Sequence, residues 1–82
     1  MKKDREYTIR EQIKMMLLWR DISLSKLVRK LNKDYGYSDS QSNLSRKLIK
    51  NTIKYDEVKK IADILGYNII FQEHENWQDW EE

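Results

Sequence analysis

The sequence contains no cysteine and no proline, and glycine occurs only at Gly36 and Gly66. Without cysteine, no disulfide or thiolate metal site can stabilise the fold, and a reducing compartment is expected. The scarcity of helix-breaking residues favours helices joined by few breaks. A chain of 82 residues supports one domain with a single small core.

Long hydrophobic segments are also missing. The longest apolar run, Met15 to Trp19, has five residues, whereas a membrane-spanning helix needs about 20. The basic first residues are followed neither by an apolar segment nor by a small-residue cleavage site, so no signal peptide is predicted. We therefore expect a cytoplasmic protein that has no membrane partner.

Residues that carry out catalysis or bind metals are scarce. His74 is the only histidine, and it lies in a polar tail without a cysteine or a second histidine to complete a metal site. The two glycines are thirty residues apart, which excludes a glycine-rich phosphate loop. The sequence therefore predicts neither an enzyme nor a bound metal or cofactor, and no small-molecule site is evident.

Charge is abundant but unevenly distributed. Residues 1–60 contain all sixteen Lys and Arg residues and eight acidic residues, which gives a net charge of +8. Residues 61–82 contain six acidic residues and no Lys or Arg, which gives −6. A basic body favours a polyanionic partner, although ordinary surface charge that happens to be sorted along the chain is an alternative.

The spacing of apolar residues predicts helices over most of the chain. Thr8, with Glu11 three residues later, has the pattern of a capping box and opens helix 1, expected at roughly 9–20. We expect Trp19, near its end, to lie in the core. Ser23 is a suitable N-cap for helix 2, and Gly36 can end that helix in a left-handed turn. One face of helix 2 is basic and carries Lys26, Arg29, Lys30 and Lys33.

Two further helices and a strand complete the predicted fold. Helix 3 is expected at about 41–49 with Ser40 or Asp39 as its N-cap, and helix 4 follows and ends at Gly66. Residues 67–72 are β-prone and predict a short strand. The expected fold is therefore all-α, with four to five helices and a short C-terminal β-strand. Its parts are a flexible basic arm (1–7), the helical domain (8–66), and the strand with an acidic tail (67–82).

Helix 3 is unusually polar for a helix of a small domain. Leu44, Leu48 and Ile49 are almost its only apolar residues, whereas such a helix normally buries a wider stripe. A helix-turn-helix unit explains this composition, because its second helix has few apolar anchors and lies in the DNA major groove. The alternative is a surface helix packed at an edge. The side chains expected outside are Gln41, Ser42, Ser45, Arg46 and Lys47.

These residue types suit the recognition of DNA. Glutamine can bond adenine through two hydrogen bonds, arginine can do so with guanine, and serine is a short donor and acceptor. Ser40 at the helix start would leave free amides at a positive helix end, which suits a phosphate.

Three segments resemble the phage-repressor-like (Xre/Cro-type) helix-turn-helix family. They are ISLSKLV at 22–28, SQSNLSR at 40–46 and KIADILG at 60–66, within a similarity that covers roughly residues 8–67. The resemblance implies a lambda-repressor-like domain that binds double-stranded DNA sequence-specifically, as a small prokaryotic or phage transcriptional regulator. It places Gln41, Ser42 and Arg46 where the family reads bases, and Ser23 where it contacts phosphate. Further backbone or flanking contacts are expected at Lys26, Ser40, Asn43, Ser45, Lys47 and Lys50.

The sequence departs from the family pattern in two places. The connection between helices 2 and 3, Asn32 to Asp39, is about twice as long as is usual. We interpret it as an extra turn of helix 2 and a loop holding Tyr35 and Tyr37, which either touch the DNA backbone or cover the core. Val28 replaces a small residue at the helix crossing, and would push the two helices slightly apart.

Two questions about partners stay open at this point. A protein-interaction module, such as an antitoxin or a phage-derived inhibitor, is the alternative function, and the acidic tail with Trp77 and Trp80 favours it. A homodimer is expected if the strand Tyr67–Gln72 pairs with its copy in a second chain. Pairing with the arm Glu6–Thr8 of the same chain would leave a monomer.

Overall fold

The computed structural model describes residues 6–79. They form α1 (Ile9–Arg20), α2 (Leu24–Tyr35), α3 (Gln41–Lys50) and α4 (Tyr55–Leu65). The all-α class and the positions of the four helices are confirmed. Most of the predicted arm and the end of the tail, including Trp80, lie outside the described residues. No helix within residues 6–79 combines the length and apolar character needed to cross a membrane.

Side-chain caps start the first three helices as predicted. In the capping box of α1, the Glu11 amide donates to Thr8 Oγ1 at 3.1 Å and the Thr8 amide donates to Glu11 Oε1 at 2.9 Å. Ser23 and Ser40 each cap a helix by accepting from the amide three residues later, at 3.1 Å and 3.2 Å. Ser40, and not Asp39, is therefore the N-cap of α3, and each cap satisfies an amide that has no partner within its helix.

Gly66 ends α4 in a left-handed conformation, with φ of 82°. A Cβ added here would lie 3.3 Å from Arg20 Nη2, so the Arg20 side chain would have to shift by a few tenths of an ångström. Arg20, at the end of α1, donates from Nε to the Leu65 carbonyl at 2.7 Å and lies over the ring of Tyr67, 4.4 Å from its centroid. The ends of α1 and α4 are thus joined by one arginine.

The core lies between the four helices, and every helix contributes to it. α2 packs against both α3 and α4, and α1 also contacts both. Val28, at the predicted helix crossing, is buried in this core. The buried residues are Ile13, Leu17, Leu27, Val28, Leu31, Leu44, Leu48, Ile61, Ala62 and Leu65.

Trp19 was wrongly predicted to lie in the core, since 65% of it is exposed. The buried face of α1 is set by Ile13 and Leu17. Trp19 follows Leu17 by two residues, which turns it about 200° around a helix with 3.6 residues per turn. It faces outward beside Tyr67, with 6.5 Å between the ring centroids.

The predicted strand at residues 67–72 is absent from the described structure. The Tyr67 amide donates to the Ala62 carbonyl at 2.8 Å and completes the end of α4. No described residue forms a backbone hydrogen bond with residues 68–72, so the alternative pairing with Glu6–Thr8 is not found either. Ile70 and Phe71 are 74% and 87% exposed. A strand requires a neighbour for its amides and carbonyls, and a single described chain provides none.

Truncating the two anchors of α3 should destabilise the fold. Leu44→Ala and Leu48→Ala each remove a buried side chain, and we expect each to lower the free energy of unfolding by about 2–5 kcal/mol. Ile49→Ala is the matched control in the same helix, because Ile49 is 63% exposed, and its effect should stay within about 0.5 kcal/mol. Equilibrium urea unfolding measures all three. Equal losses for Ile49 and the leucines would contradict this assignment of the buried face.

Candidate nucleic-acid interface

The outer face of α3 brings together the three residues predicted to read bases. All three are exposed. Ser42 and Arg46 lie on the side of the helix opposite Leu44 and Leu48, and Gln41 is exposed at the start of the helix. A shallow depression of about 390 Å³ runs along this face. It is lined by Gln41, Ser42, Ser45, Arg46, Ile49 and Lys50. The face therefore presents amide, hydroxyl and cationic groups within one continuous surface.

Arg46 is held from within its own helix. Its Nη1 donates to Asn43 Oδ1, one turn earlier, at 3.3 Å. A guanidinium carries five N–H donors, so this bond orients the side chain and leaves other donors available. Neither Arg46 nor Lys50 forms an ion pair with any residue between 6 and 79. The positive charge of this face is thus uncompensated in the described part of the chain.

Two exposed serines mark helix starts that suit anions. Ser23 opens α2 and Ser40 opens α3, and each uses its Oγ as acceptor for one amide. The remaining first-turn amides and the positive end of the helix dipole favour a phosphate at such a position. Both serines therefore have the local geometry that their predicted phosphate contacts require.

Lys47 does not lie on the outer face, contrary to the prediction. It follows Leu44 by three residues, which places it on the flank of α3 toward the start of α4. Its Nζ forms an ion pair with Asp39 and a second with Glu57 Oε2 at 2.7 Å. Both carboxylates engage its ammonium group, so a contact of Lys47 with the DNA backbone would require these ion pairs to open.

Tyr37 completes this group, which we call the Lys47 cluster (Tyr37, Asp39, Lys47 and Glu57). The Tyr37 hydroxyl lies 2.8 Å from Glu57 Oε2 and 3.2 Å from Asp39 Oδ2. Its ring packs against the core, and Lys47 Nζ lies 5.9 Å from the ring centroid. Of the two roles left open for Tyr37, the structure supports covering the core. The cluster joins the α2–α3 loop, α3 and α4.

Tyr35 lies on a different side of the domain. Its hydroxyl donates to Asp63 of α4, and Lys60 Nζ lies 5.7 Å from the centroid of its ring. These contacts fasten the end of α2 to α4. Gly36 follows in a left-handed conformation with φ of 65°, and the extra turn predicted for α2 is confirmed. Tyr35 is therefore engaged with α4 and shares no contact with the outer face of α3.

The Lys47 cluster changes the proton affinity of its members. Burial and the hydrogen bond to Glu57 raise the pKa of Tyr37. Hydrogen bonds to Asp39 and Glu57 raise the pKa of Lys47. Burial opposes ionisation of Glu57, but Lys47, the Lys54 amide and Tyr37 outweigh it and lower the pKa of Glu57. At neutral pH the cluster therefore holds a charged Glu57, a charged Lys47 and a neutral Tyr37.

Two cations that the sequence reasoning missed border the outer face of α3. Arg10 and Lys14 are exposed on α1 and line a groove of about 430 Å³ that reaches Ser45 of α3. Their spacing of four residues places both on one flank of α1 beside the buried Ile13 and Leu17, and this spacing is the signal that would have found them. They extend the positive surface from α3 onto α1.

Lys26 is separated from the other predicted contacts. It lines a groove between α2 and α4 together with Arg29, Lys30 and Lys33, and no residue of α3 lines that groove. Within residues 6–79 there is also no group of three or more His, Cys, Asp or Glu side chains that could hold a metal ion. Of the residues predicted to contact DNA, those that line the outer face of α3 together are Gln41, Ser42, Ser45, Arg46 and Lys50.

Comparisons of the chain with protein-family models, with curated proteins and with solved structures find no match. The resemblance to the helix-turn-helix family therefore depends on the three quoted segments. The function has to be argued from the surface of α3 and from the charges around it.

The Lys47 cluster should make stability depend on pH. A lowered pKa of Glu57 stabilises the folded state above its ordinary value of 4.5, and this contribution is lost as the pH falls through the lower folded-state pKa. Glu57→Gln should therefore lower the free energy of unfolding at pH 7, and its difference from the parent should shrink toward pH 3. Urea unfolding across this range measures the difference.

Glu75→Gln is the matched control, because Glu75 is exposed and forms no ion pair within the described chain. It should follow the parent at every pH. A loss in Glu57→Gln that does not change between pH 7 and pH 3 would contradict the ion pair with Lys47.

Proposed function

We propose that the protein binds double-stranded DNA sequence-specifically and acts as a small transcriptional regulator, with α3 in the major groove. The observation that carries the proposal is the outer face of α3. It presents exposed hydrogen-bonding side chains and uncompensated cations, although the helix is held by two buried leucines. A polar, positively charged helix face of this kind is what recognition of base edges in the major groove requires.

The base-reading roles follow from side-chain chemistry. Arg46 suits the O6 and N7 acceptors of guanine, and its bond to Asn43 reduces the freedom that binding would remove. Gln41, in the first turn, suits the N6 donor and N7 acceptor of adenine. Ser42 beside it is short enough for the backbone to approach the bases closely.

Phosphate contacts are assigned to groups around this face. Ser23 and Ser40 supply helix starts, and Lys50 supplies a cation at the end of α3. Arg10 and Lys14 join this set because their groove continues to Ser45. Such contacts fix the register of the helix on the duplex and carry no sequence information of their own.

Lys47 receives a positioning role in place of the predicted backbone contact. Its two ion pairs fix α3 against Asp39 of the loop and Glu57 of α4. Correct placement of α3 matters because the bidentate hydrogen bonds to a base need a defined side-chain geometry. The Lys47 cluster therefore supports the base-reading face from behind.

A protein-interaction module, such as an antitoxin or a phage-derived inhibitor, is the second candidate. The observation that favours it is the exposure of large apolar side chains after α4, namely Ile70, Phe71 and Trp77. Exposed apolar groups in one segment commonly mark a protein contact. The same segment serves the first proposal if it joins two copies, because a dimer reads two half-sites on DNA.

A gel shift against random duplex DNA separates the two candidates. DNA binding predicts an affinity that falls steeply between 50 mM and 200 mM salt, because each neutralised phosphate contributes a slope of roughly −0.9 in log K against log salt. The absence of binding at the lower salt concentration would favour the interaction module.

Removing the base-reading side chains should weaken binding to a selected sequence. After selection of a preferred duplex from a random pool, Arg46→Ala should cost about 1–3 kcal/mol and relax the preference at one base pair. Gln41→Ala should act similarly at an adenine. Lys59→Ala on α4 is the control, since Lys59 lines a cavity to which α3 contributes no residue. Variants of Arg46 and Gln41 that bind every sequence like the parent would exclude α3 as the reader.

The homodimer is proposed to form through the segment after Tyr67. Paired with its copy, this segment would satisfy its backbone groups and bury Ile69, Ile70 or Phe71. A chain ending at Asn68 keeps the contact between Tyr67 and Arg20 and should be monomeric by light scattering. Ile70→Lys, at a 74% exposed position, should weaken the dimer without changing the helical signal. A dimer that persists in the shortened chain would exclude this interface.

A further inference from the structure

The groove between α2 and α4 combines an apolar floor with a basic rim. We call it the α2–α4 groove, and it has a volume of about 330 Å³. Its floor consists of Ile22, Leu27 and Ile64, and its rim of Lys26, Arg29, Lys30 and Lys33. A phosphate alone would use the rim and leave the apolar floor in water. The groove is therefore suited to a ligand that has carboxylates and a large apolar side chain together.

Most of the charge on the rim is uncompensated. Lys30 forms an ion pair with Asp34 at 3.3 Å. The other three cations, Lys26, Arg29 and Lys33, form no ion pair with any residue from 6 to 79. Three unpaired cations along one helix face repel each other and favour an acidic partner.

The chain itself contains a segment with the complementary chemistry. Residues 73–79, which we call the acidic segment, carry Glu73, Glu75 and Asp79 around Trp77. The three carboxylates form no ion pair within the described part of the chain. Trp77 is partly exposed, and a tryptophan buries about 150–250 Å² of surface when it docks. The acidic segment thus carries negative charges that complement the basic rim of the groove and a large apolar side chain that complements its apolar floor.

The described structure does not place this segment in its own groove. Tyr67 packs against Arg20, and Ile69 and Ile70 line a separate cavity with Tyr35 and Tyr55. No residue from 67 to 79 lines the α2–α4 groove. In the dimer proposed above, the acidic segment directly follows residues that pair with the neighbouring chain, so a second copy can supply an acidic segment to this groove.

We propose that the α2–α4 groove binds the acidic segment of a second copy of this chain. Trp77 covers the apolar floor, and the three carboxylates pair with Lys26, Arg29 and Lys33. In a two-fold dimer the contact occurs twice, because each chain supplies one groove and one segment. No residue of α3 lines the groove, so the contact leaves the DNA-reading face free. The inference rests on the proposed dimer, and DNA binding does not enter it.

Exchange of charge between groove and segment provides the test. In the groove variant, Lys26→Glu, Arg29→Glu and Lys33→Glu are combined. In the segment variant, Glu73→Lys, Glu75→Lys and Asp79→Lys are combined. All six positions are exposed, so the helical circular dichroism of the parent should be retained. Each variant alone should raise the dimer dissociation constant by about tenfold or more, since three surface pairs become repulsive at each of the two contacts.

A mixture of the two variants should restore assembly. In the mixed dimer both contacts again join opposite charges, so sedimentation equilibrium should give a dissociation constant close to that of the parent. Trp77→Ala should weaken the parent dimer as well. The matched control combines Lys14→Glu, Lys50→Glu and Lys59→Glu outside the groove. Alone it should dimerise like the parent, and in its mixed dimer with the segment variant only one of the two contacts joins opposite charges.

The outcomes separate the proposal from its competitors. If both charges must be exchanged within the same chain to restore a folded, compact protein, the segment binds its own groove and the proposal fails. It also fails if neither variant changes the dissociation constant, or if the parent is a monomer. The salt-dependent gel shift is a separate measurement that tests DNA binding. A failure of the groove proposal is therefore distinguishable from a failure of the DNA-binding proposal.

Discussion

The burial of Leu44 and Leu48 is the constraint on which the rest of this structure depends. Each side chain fills the core between α1 and α2, and together they hold a helix that is otherwise polar. Because two leucines on one side suffice, the remaining positions of α3 are released from the requirement to pack. That freedom is what allows the outer face to carry Gln41, Ser42 and Arg46 together. A wider apolar stripe would have removed the surface that we assign to DNA.

Leu44 and Leu48 anchor one side of α3, and the Lys47 cluster adds polar contacts on its flank. Tyr37 and Asp39 reach α3 from the preceding loop, while Glu57 reaches it from α4. The long α2–α3 connection thus has a structural use, since it carries two members of the cluster. Electrostatics here supports the placement of a helix whose hydrophobic contacts are few.

Most of the helical architecture follows from local sequence, because caps and periodicity act over three or four residues. Ser23 and Ser40 were predictable for this reason. The surroundings of the Lys47 and Trp19 side chains were not predicted correctly from the sequence. They depend on the angle around the helix and on residues distant in sequence, such as Glu57. The strand predicted at residues 67–72 is absent from the described structure, because strand pairing requires a neighbour that a sequence pattern does not specify. Likewise, the proximity of Arg10 and Lys14 to Ser45 depends on how α1 packs against α3.

The contact of Arg20 with the end of α4 has a consequence for cooperativity. A terminal helix normally frays from its free end, because its last carbonyls have no partner within the helix. Here the Leu65 carbonyl accepts from a side chain of α1, 45 positions earlier in the sequence. The last helix therefore cannot begin to unwind from its C-terminal end without releasing its tie to the first. Fraying of the C-terminal turn of α4 is thereby coupled to its contact with the end of α1.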